Sequence, residues 1–241
     1  MDASLLKSTA RPLLRVWKKV TQPMYLATFP RAYKRHSELA YWSGRFKAEA
    51  GALRNSHYEP LFTTVYGLTR NDYRDKKVID IGCGPRGSLE WATMAAERVG
   101  LDPLASKYLR LGASRHHMQY VEAPSESIPF PDGYFDIVTC LNALDHVDDF
   151  HKTIAEIKRV TRAGGLFLVS VEINHPPSGT EPITISEQDM DQFCPEFTPV
   201  TSFKVGTPAN HDLHAAVQSR QPPYEAGHPG VYVAMMRRGQ S

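Results

Sequence analysis

Three closely spaced glycines follow an apolar run. Gly82, Gly84 and Gly87 come directly after residues 77–81, which are predicted to form a buried strand. Glycine suits such a turn because it adopts backbone angles that other residues avoid, and because a ligand can approach a backbone that has no Cβ. The pattern predicts a loop that binds a polar ligand through backbone N–H groups at the start of a following helix. The same spacing occurs in dinucleotide-binding enzymes, so the loop alone does not identify the ligand.

Two carboxylates flank this glycine loop. Asp102 lies 20 residues beyond Gly82, at the predicted end of the second strand. A carboxylate there can accept hydrogen bonds from both ribose hydroxyls of an adenosine, and capping of a helix that begins at Pro103 is the alternative. Asp80 ends the first strand, where a negative charge repels a pyrophosphate and attracts an ammonium group, such as that of S-adenosylmethionine (SAM). A buried carboxylate satisfied by local N–H groups is the alternative for Asp80.

Alternating strand and helix patterns are predicted to position these residues. The predicted strands are 77–81, 99–101, 118–121, 135–140, 166–173, 199–205 and 231–236, and the predicted helices include 88–98, 150–160 and a capped segment near 187–194. Strands separated by helices favour parallel pairing with right-handed crossovers. The polar stretch 207–230 is predicted to be a long loop, and such loops are often functional.

Four segments in this order resemble the motifs of class I SAM-dependent methyltransferases. They are residues 78–84, 128–136, 141–147 and 159–165. The similarity is to the small bacterial-type subgroup that includes enzymes methylating ubiquinone and sugars. It implies an α/β, Rossmann-like, seven-stranded and mostly parallel sheet with an antiparallel last strand, in three αβα layers. The implied division is a basic N-terminal helical extension or cap at 1–60 and a SAM-binding domain at 61–241.

The resemblance also implies which residues would hold the cofactor. Asp80, Gly82, Cys83 and Gly84 would line its methionine end, Asp102 would hold the ribose, Pro103 would lie beside the adenine, Ser125 and Glu126 would contact the adenine edge, and Leu141 and Asn142 would lie near the sulfonium. Two positions depart from the family pattern. Arg86 stands where a third glycine is usual, and Pro124 replaces the usual acidic residue at the adenine.

Methyl transfer is an in-line displacement for which the cofactor supplies an activated electrophile and the protein mainly aligns the acceptor. A hydroxyl or protonated amine also needs a general base. His146 is the predicted base, because it follows the fourth strand and because the ordinary pKa of histidine suits proton removal near neutrality. Asp145 is predicted to orient His146 or to contact the acceptor, and packing of His146 beside the next helix is the alternative. Further histidines in the late loops indicate either a substrate lid or a polar surface; these are His175, His211, His214 and His228.

Composition and charge restrict the remaining possibilities. The 241 residues are 41% hydrophobic and 22% charged, as in ordinary globular proteins. The three cysteines lack a C-x-x-C pair, which predicts no disulfide framework, no metal site and a reduced cytoplasmic location. Residues 1–47 carry ten Lys and Arg against two acidic residues, a net charge of +8, whereas the remainder carries −6. Residues 4–20 are predicted to form an amphipathic helix, which either contacts an anionic membrane peripherally or covers the acidic body of the chain.

The sequence therefore predicts an enzyme that transfers a methyl group from SAM to an oxygen or nitrogen atom of a small-molecule acceptor, such as a sugar or secondary metabolite. The alternatives are an NAD-dependent oxidoreductase, which Asp80 disfavours, and a non-catalytic partner protein that binds SAM. No nucleic-acid partner is expected, because no RNA-binding motif is found.

Overall fold

A computed structural model describes residues 30–240 of the chain, which form an α/β fold around one seven-stranded sheet. The strands are β1 (Lys77–Ile81), β2 (Glu97–Leu101), β3 (Gln119–Val121), β4 (Phe135–Leu141), β5 (Thr161–Ile173), β6 (Phe197–Gly206) and β7 (Gly230–Arg238). The α-helices are α1 (Pro30–Ala48), α2 (Tyr58–Phe62), α3 (Ala105–Leu109), α4 (Phe150–Val160) and α5 (Leu213–Ser219). Short 3-10 turns cover Thr64–Tyr66, Arg70–Tyr73, Ala113–Arg115, Leu144–His146 and Gln188–Phe193.

The order of the strands across the sheet is β3-β2-β1-β4-β5-β7-β6. Neighbouring strands from β3 to β5 are parallel, and β7 runs antiparallel to both β5 and β6. The predicted mostly parallel sheet with an antiparallel last strand is confirmed. Because the chain moves to one side of β1 for β2 and β3 and to the other side for β4, a crevice opens at the carboxyl ends of β1 and β4.

The central strands are apolar along most of their length because the sheet is covered on both faces. Ile79, Val138 and Phe167 have no exposed surface, as expected for parallel strands between helical layers. On one face, α4 packs through Ile154 and Ile157. Its first turn is fixed by the Asp149 side chain, which accepts a hydrogen bond from the backbone N–H of Lys152.

Three predicted elements differ from the structure. No helix forms over 88–98; residues 88–96 make a series of turns. The segment near 187–194 is a 3-10 turn, and the predicted loop 207–230 contains α5, whose start is capped by Asp212.

The predicted helix at 4–20 lies outside the described residues. Within residues 30–240, no helix combines the length and the apolar character needed to cross a membrane. The same part of the chain contains no cluster of His, Cys, Asp and Glu suited to a metal ion.

At the far edge of the sheet, the register of β6 against β7 shifts between Pro199 and Thr201.

Candidate functional site

The glycine loop lies at the carboxyl end of β1 and packs against the segment that follows β4. Gly82 has a φ of 74°, and a Cβ added to it would lie 2.3 Å from the Cβ of Ala143. Gly84 has a φ of 57°. Both positions therefore require glycine, Gly82 for its backbone angle and for the close approach, and Gly84 for its angle. The loop ends in turns instead of the expected helix, so its backbone N–H groups gain no help from a helix dipole.

Asp80 is 4% exposed and carries its charge among hydroxyl groups. Its two carboxylate oxygens accept hydrogen bonds from the side chains of Ser88 and Thr139, the latter at 2.7 Å. Burial raises the pKa of Asp80 to about 6, although these hydrogen bonds oppose the rise. A buried carboxylate that has hydroxyl donors and no cation is suited to bind an ammonium group.

Asp102 directly follows β2 and is 3% exposed. Its oxygens accept hydrogen bonds from the backbone N–H of Leu104 at 2.8 Å and from that of Gly84 at 3.3 Å. The carboxylate thus ties the glycine loop to the start of the next segment. Burial, and after it the negative charge of Glu38, raise the pKa of Asp102.

The two carboxylates share one edge of the sheet. Ile81 and Leu101 are partners in the parallel pair of β1 and β2, so Asp80 and Asp102 both lie where these strands end. Within residues 30–240, neither carboxylate forms an ion pair with a lysine or arginine. Two buried acceptors beside a loop that tolerates no Cβ fit the ammonium and the ribose hydroxyls of SAM.

The remaining residues predicted for the cofactor have mixed surroundings. The Sγ of Cys83 would lie 2.7 Å from a Cβ at Gly100, so this side chain packs onto β2, and its backbone N–H donates to the carbonyl of Leu101 at 3.4 Å. Ser125 is buried and forms a hydrogen bond with Thr153 at 2.9 Å. The Glu126 carboxylate accepts from the backbone N–H groups of Asp148 and Asp149, and so it supports the segment that leads into α4.

Leu141 and Asn142 lie at the carboxyl end of β4, and Leu141 is half-buried. The backbone N–H of Asn142 donates to the carbonyl of Ser170 at 2.7 Å, and its φ is 54°. Its side-chain oxygen is buried without a hydrogen-bond partner among the described residues. An orphaned acceptor at this edge is a group that a bound ligand would satisfy.

The carboxylate of Asp145 faces a different histidine from the one predicted. It lies 3.3 Å from Nε2 of His175 and 4.0 Å from Nε2 of His146. Asp145 has no exposed surface, and its close contact with His175, opposed by burial, raises the pKa of His175 to about 9. Nδ1 of His175 lies 3.0 Å from the carbonyl oxygen of Pro176, to which it donates. His175 follows β5 at the same edge of the sheet, so the rule that selected His146 also selects His175.

Helix α1 lies over this edge. Lys34 donates to the carbonyl of His146 at 2.7 Å, and Glu38 accepts from the hydroxyl of Tyr108 at 2.9 Å. The ring of Trp42 lies against Gly84, 3.3 Å from the place that a Cβ would occupy. The described part of the extension therefore covers the glycine loop and the residues around Asp102.

Comparisons with known proteins agree with this geometry. Residues 79–169 match the family model described as a methyltransferase domain. The chain is 33% identical over 103 residues to an uncharacterized methyltransferase, YcgJ, of Bacillus subtilis, covering 39% of this chain and 40% of that protein. It is 32% identical over 132 residues to the chloroplastic tocopherol O-methyltransferase of Arabidopsis thaliana, covering 51% of this chain and 38% of that protein. The matched segments thus span less than half the length of these two relatives.

A solved structure shows the same fold. The crystal structure of the Bacillus subtilis YcgJ protein superposes with a TM-score of 0.53 at 17% identity, covering 74% of this chain and 99% of that chain.

Proposed function

We propose that residues 79–169, which match the family model described as a methyltransferase domain, bind SAM in the manner of the class I methyltransferases, and that the protein transfers a methyl group from SAM to an oxygen or nitrogen atom of a small-molecule acceptor. The observation that carries the proposal is the pair of buried carboxylates, Asp80 and Asp102, on the two sides of the glycine loop. One suits an amino-acid ammonium group, and the other suits a ribose diol.

The residues of the loop would hold the cofactor by its polar ends. Asp80 would accept from the ammonium group, Asp102 from the ribose hydroxyls, and the Asn142 side-chain oxygen is free for a further donor. Pro103, Ser125 and Glu126 remain the proposed neighbours of the adenine. When bound, SAM supplies a methyl group on a positively charged sulfur. The protein's part is to exclude water and to hold the acceptor in line, which accounts for much of the rate acceleration in such reactions.

The acceptor would lie among acidic and imidazole groups at the ends of β4 and β5. Burial and the neighbouring carboxylates of Asp145 and Glu181 raise the pKa of Glu172. His146 is partly exposed, and its Nε2 lies 3.8 Å from a carboxylate oxygen of Glu181. Several carboxylates in one place favour acceptors that bring hydroxyl or amine donors.

His146 is the proposed general base of this site. His175 donates through Nδ1 to the carbonyl of Pro176 and faces Asp145 with Nε2, so neither of its nitrogens is free for the acceptor. Among residues 30–240, the Nε2 of His146 contacts carboxylate oxygens at 3.8 and 4.0 Å, distances that are longer than hydrogen bonds. It can therefore accept a proton from an acceptor hydroxyl or amine.

We also propose that residues 1–60 form an extension and that residues 61–241 form the catalytic domain. None of residues 30–60 is buried, whereas burial begins with Leu61 and Phe62. The described part of the extension thus lies on the surface of the domain, where Leu39 and Trp42 pack, partly buried, against a small core cluster that contains Leu104 and Tyr108. Its basic charge is the basis for proposing peripheral contact with an anionic membrane, and vesicle binding by the full chain and by a chain lacking residues 1–35 would test that contact.

Isothermal titration with SAM and with NAD tests the cofactor. We expect the protein to bind SAM and not NAD, and the Asp80→Asn and Asp102→Asn variants to lose affinity for SAM. Asp75→Asn is the matched control, because Asp75 is exposed, precedes β1 at the opposite edge of the sheet and has a φ of 59°, which asparagine tolerates. Binding of NAD without binding of SAM would overturn the proposal.

Transfer of a labelled methyl group from SAM to a metabolite extract tests the reaction. Incorporation into a small molecule is expected, and nuclear magnetic resonance of the product would show whether oxygen or nitrogen receives the group. A protein that binds SAM and labels nothing across extracts and pH values would instead be a non-catalytic partner.

A further inference from the structure

Arg86 is a buried cation beside the glycine loop. It stands where a third glycine is usual, and it is 7% exposed. Its guanidinium lies 5.5 Å from the ring of Trp42, and its charge acts on the hydroxyl of Tyr58, as does that of Asp80. Because Ser88, two residues further on, donates to Asp80, the loop places a buried positive charge close to a buried negative charge. These two charges do not pair with each other.

The partner of Arg86 comes from the extension. Its guanidinium donates to both carboxylate oxygens of Glu49, at 2.6 and 2.9 Å, and to the carbonyl of Arg54 at 2.7 Å. This hydrogen-bonded pairing lowers the pKa of Glu49 to about 2. Two parallel hydrogen bonds from a guanidinium group are a bidentate contact, which is specific for a carboxylate or a similar anion. Arg86 is thus a formed carboxylate site whose present occupant belongs to the cap.

The cap itself is held by a few side chains. Lys34, Glu38 and Trp42 recur at every fourth residue of α1 and all contact the edge of the sheet, as residues on one helix face do. No residue of α1 is fully buried. Leu39 and Trp42 pack against the domain while only partly buried, so polar contacts contribute much of the stabilisation of α1, and such an element can open locally.

The methionine end of SAM carries an ammonium group and a carboxylate on one carbon atom. Asp80 offers a buried carboxylate without a cation among residues 30–240, and Arg86 offers a buried cation whose carboxylate comes from Glu49. Both lie on the loop proposed to hold that end. The ammonium group of the ligand therefore supplies a counter-charge for Asp80, and its carboxylate supplies one for Arg86 when Glu49 has moved away.

We propose that Arg86 binds the α-carboxylate of the cofactor and that Glu49 occupies this position in the ligand-free protein. SAM binding would then exchange one carboxylate for the other and release the segment that joins α1 to α2. This inference rests on the proposed function, since it requires SAM to be the ligand. It adds Arg86 to the site, at the position where the family usually has a third glycine.

Decarboxylated SAM is the probe that isolates this contact, because it keeps the adenosine, sulfonium and amine and lacks the carboxylate. Affinities of both ligands would be measured by calorimetry for the wild type, Arg86→Gln and Glu49→Gln. We expect the wild type to prefer SAM at least tenfold, Arg86→Gln to lose this preference, and Glu49→Gln to bind SAM several-fold more tightly with an increased preference. Glu59→Gln, which removes the exposed pair with Arg70, should change neither affinity.

Hydrogen exchange gives a second measurement. The backbone N–H of Arg54 donates to a carboxylate oxygen of Glu49 at 2.9 Å, so SAM should accelerate exchange around this amide and decarboxylated SAM should not. An unchanged preference in Arg86→Gln, or in Glu49→Gln if Arg86→Gln does not fold, would overturn the inference. A wild type that binds neither ligand would instead overturn the proposed function.

Discussion

The carboxylate of Asp145 lies 3.3 Å from Nε2 of His175, so a buried acid that follows β4 is paired with a histidine that follows β5. The pair joins the ends of two neighbouring strands beneath the proposed acceptor position. It also places His175 in its protonated form at neutral pH, since its pKa is raised to about 9.

The stability of the folded protein should depend on pH through His175. The pKa of His175 is raised from 6.5 to about 9 in the folded protein, so its stabilisation is fully present below about pH 6.5 and is lost as the pH rises through about 9. The urea midpoint of the ligand-free wild type should therefore fall over this window. His175→Gln should be less stable at pH 6.5 and show a smaller fall, whereas His228→Gln, at an exposed site, should behave as the wild type. Parallel curves for wild type and His175→Gln would contradict the assignment.

Asp80→Asn is expected to stabilise the ligand-free protein. The pKa of Asp80 is raised to about 6 by burial, so ionisation opposes folding as the pH rises from about 4 to about 6, and the full cost remains above that range. Asparagine keeps the size of the side chain without the charge, which should add roughly 1–3 kcal/mol at pH 7. Urea unfolding would measure the gain, and a thermal shift assay should show that SAM no longer stabilises the variant. A loss of stability would show that the charge is compensated in the fold.

Affinity for SAM should depend on pH. An ammonium group binds the ionised form of Asp80, whose pKa is about 6 without ligand, so binding must first release a proton at lower pH. The dissociation constant should therefore be about tenfold larger at pH 5 than at pH 7, a range in which the α-amino group of the ligand stays protonated. Calorimetry in two buffers of different ionisation enthalpy would also detect proton release. A constant affinity between pH 5 and 7 would argue against Asp80 as the ammonium ligand.

His146→Gln should separate binding from chemistry. If His146 removes the acceptor proton, kcat should fall by about 10²- to 10⁴-fold while the affinity for SAM stays unchanged. His151→Gln, at an exposed position of α4, is the control and should keep full activity. Activity within a few-fold of wild type in His146→Gln would assign the proton transfer to another group or to water.

Gly82→Ala tests the closeness of the glycine loop to the segment after β4. The added Cβ would meet the Cβ of Ala143 at 2.3 Å, whereas a Cβ on Gly67, which has nearly the same φ, would meet nothing within 4 Å. Gly67→Ala should cost about 1 kcal/mol from its backbone angle alone, and Gly82→Ala should cost at least about 2 kcal/mol more. The double variant Gly82→Ala/Ala143→Gly should recover part of this difference in urea unfolding. Equal costs at both glycines would exclude the clash.

The sheet could be predicted from the sequence because its strands are short apolar runs between polar breaks. The run 135–140 differs from β4 by only one residue, and the parallel pairing of β1 to β5 agrees with the pairing that the alternating pattern predicts. The absence of a helix at 88–98 could not be predicted in this way, because the apolar residues of this segment recur at helical spacing.

The candidate site can be predicted where it depends on strand ends, and not where it depends on contacts between distant segments. Asp80, Asp102 and His146 are candidates because each follows or ends a predicted strand. The pairing of Glu49 with Arg86 spans 37 positions without any periodic pattern, so nothing in the sequence indicates it. Whether Asp145 contacts His146 or His175 likewise depends on side-chain directions, which are determined only in the folded chain.

The shift of register at Pro199 also affects how molecules meet in concentrated solution. This proline has no N–H to offer, and the irregularity that follows it bends the outermost strand, β6. The opposite border of the sheet is β3, with only three residues. In the part of the chain that the structure describes, neither border therefore presents a long, regular row of unpaired peptide groups that would template a strand from another molecule, and this discourages fibrillar self-association.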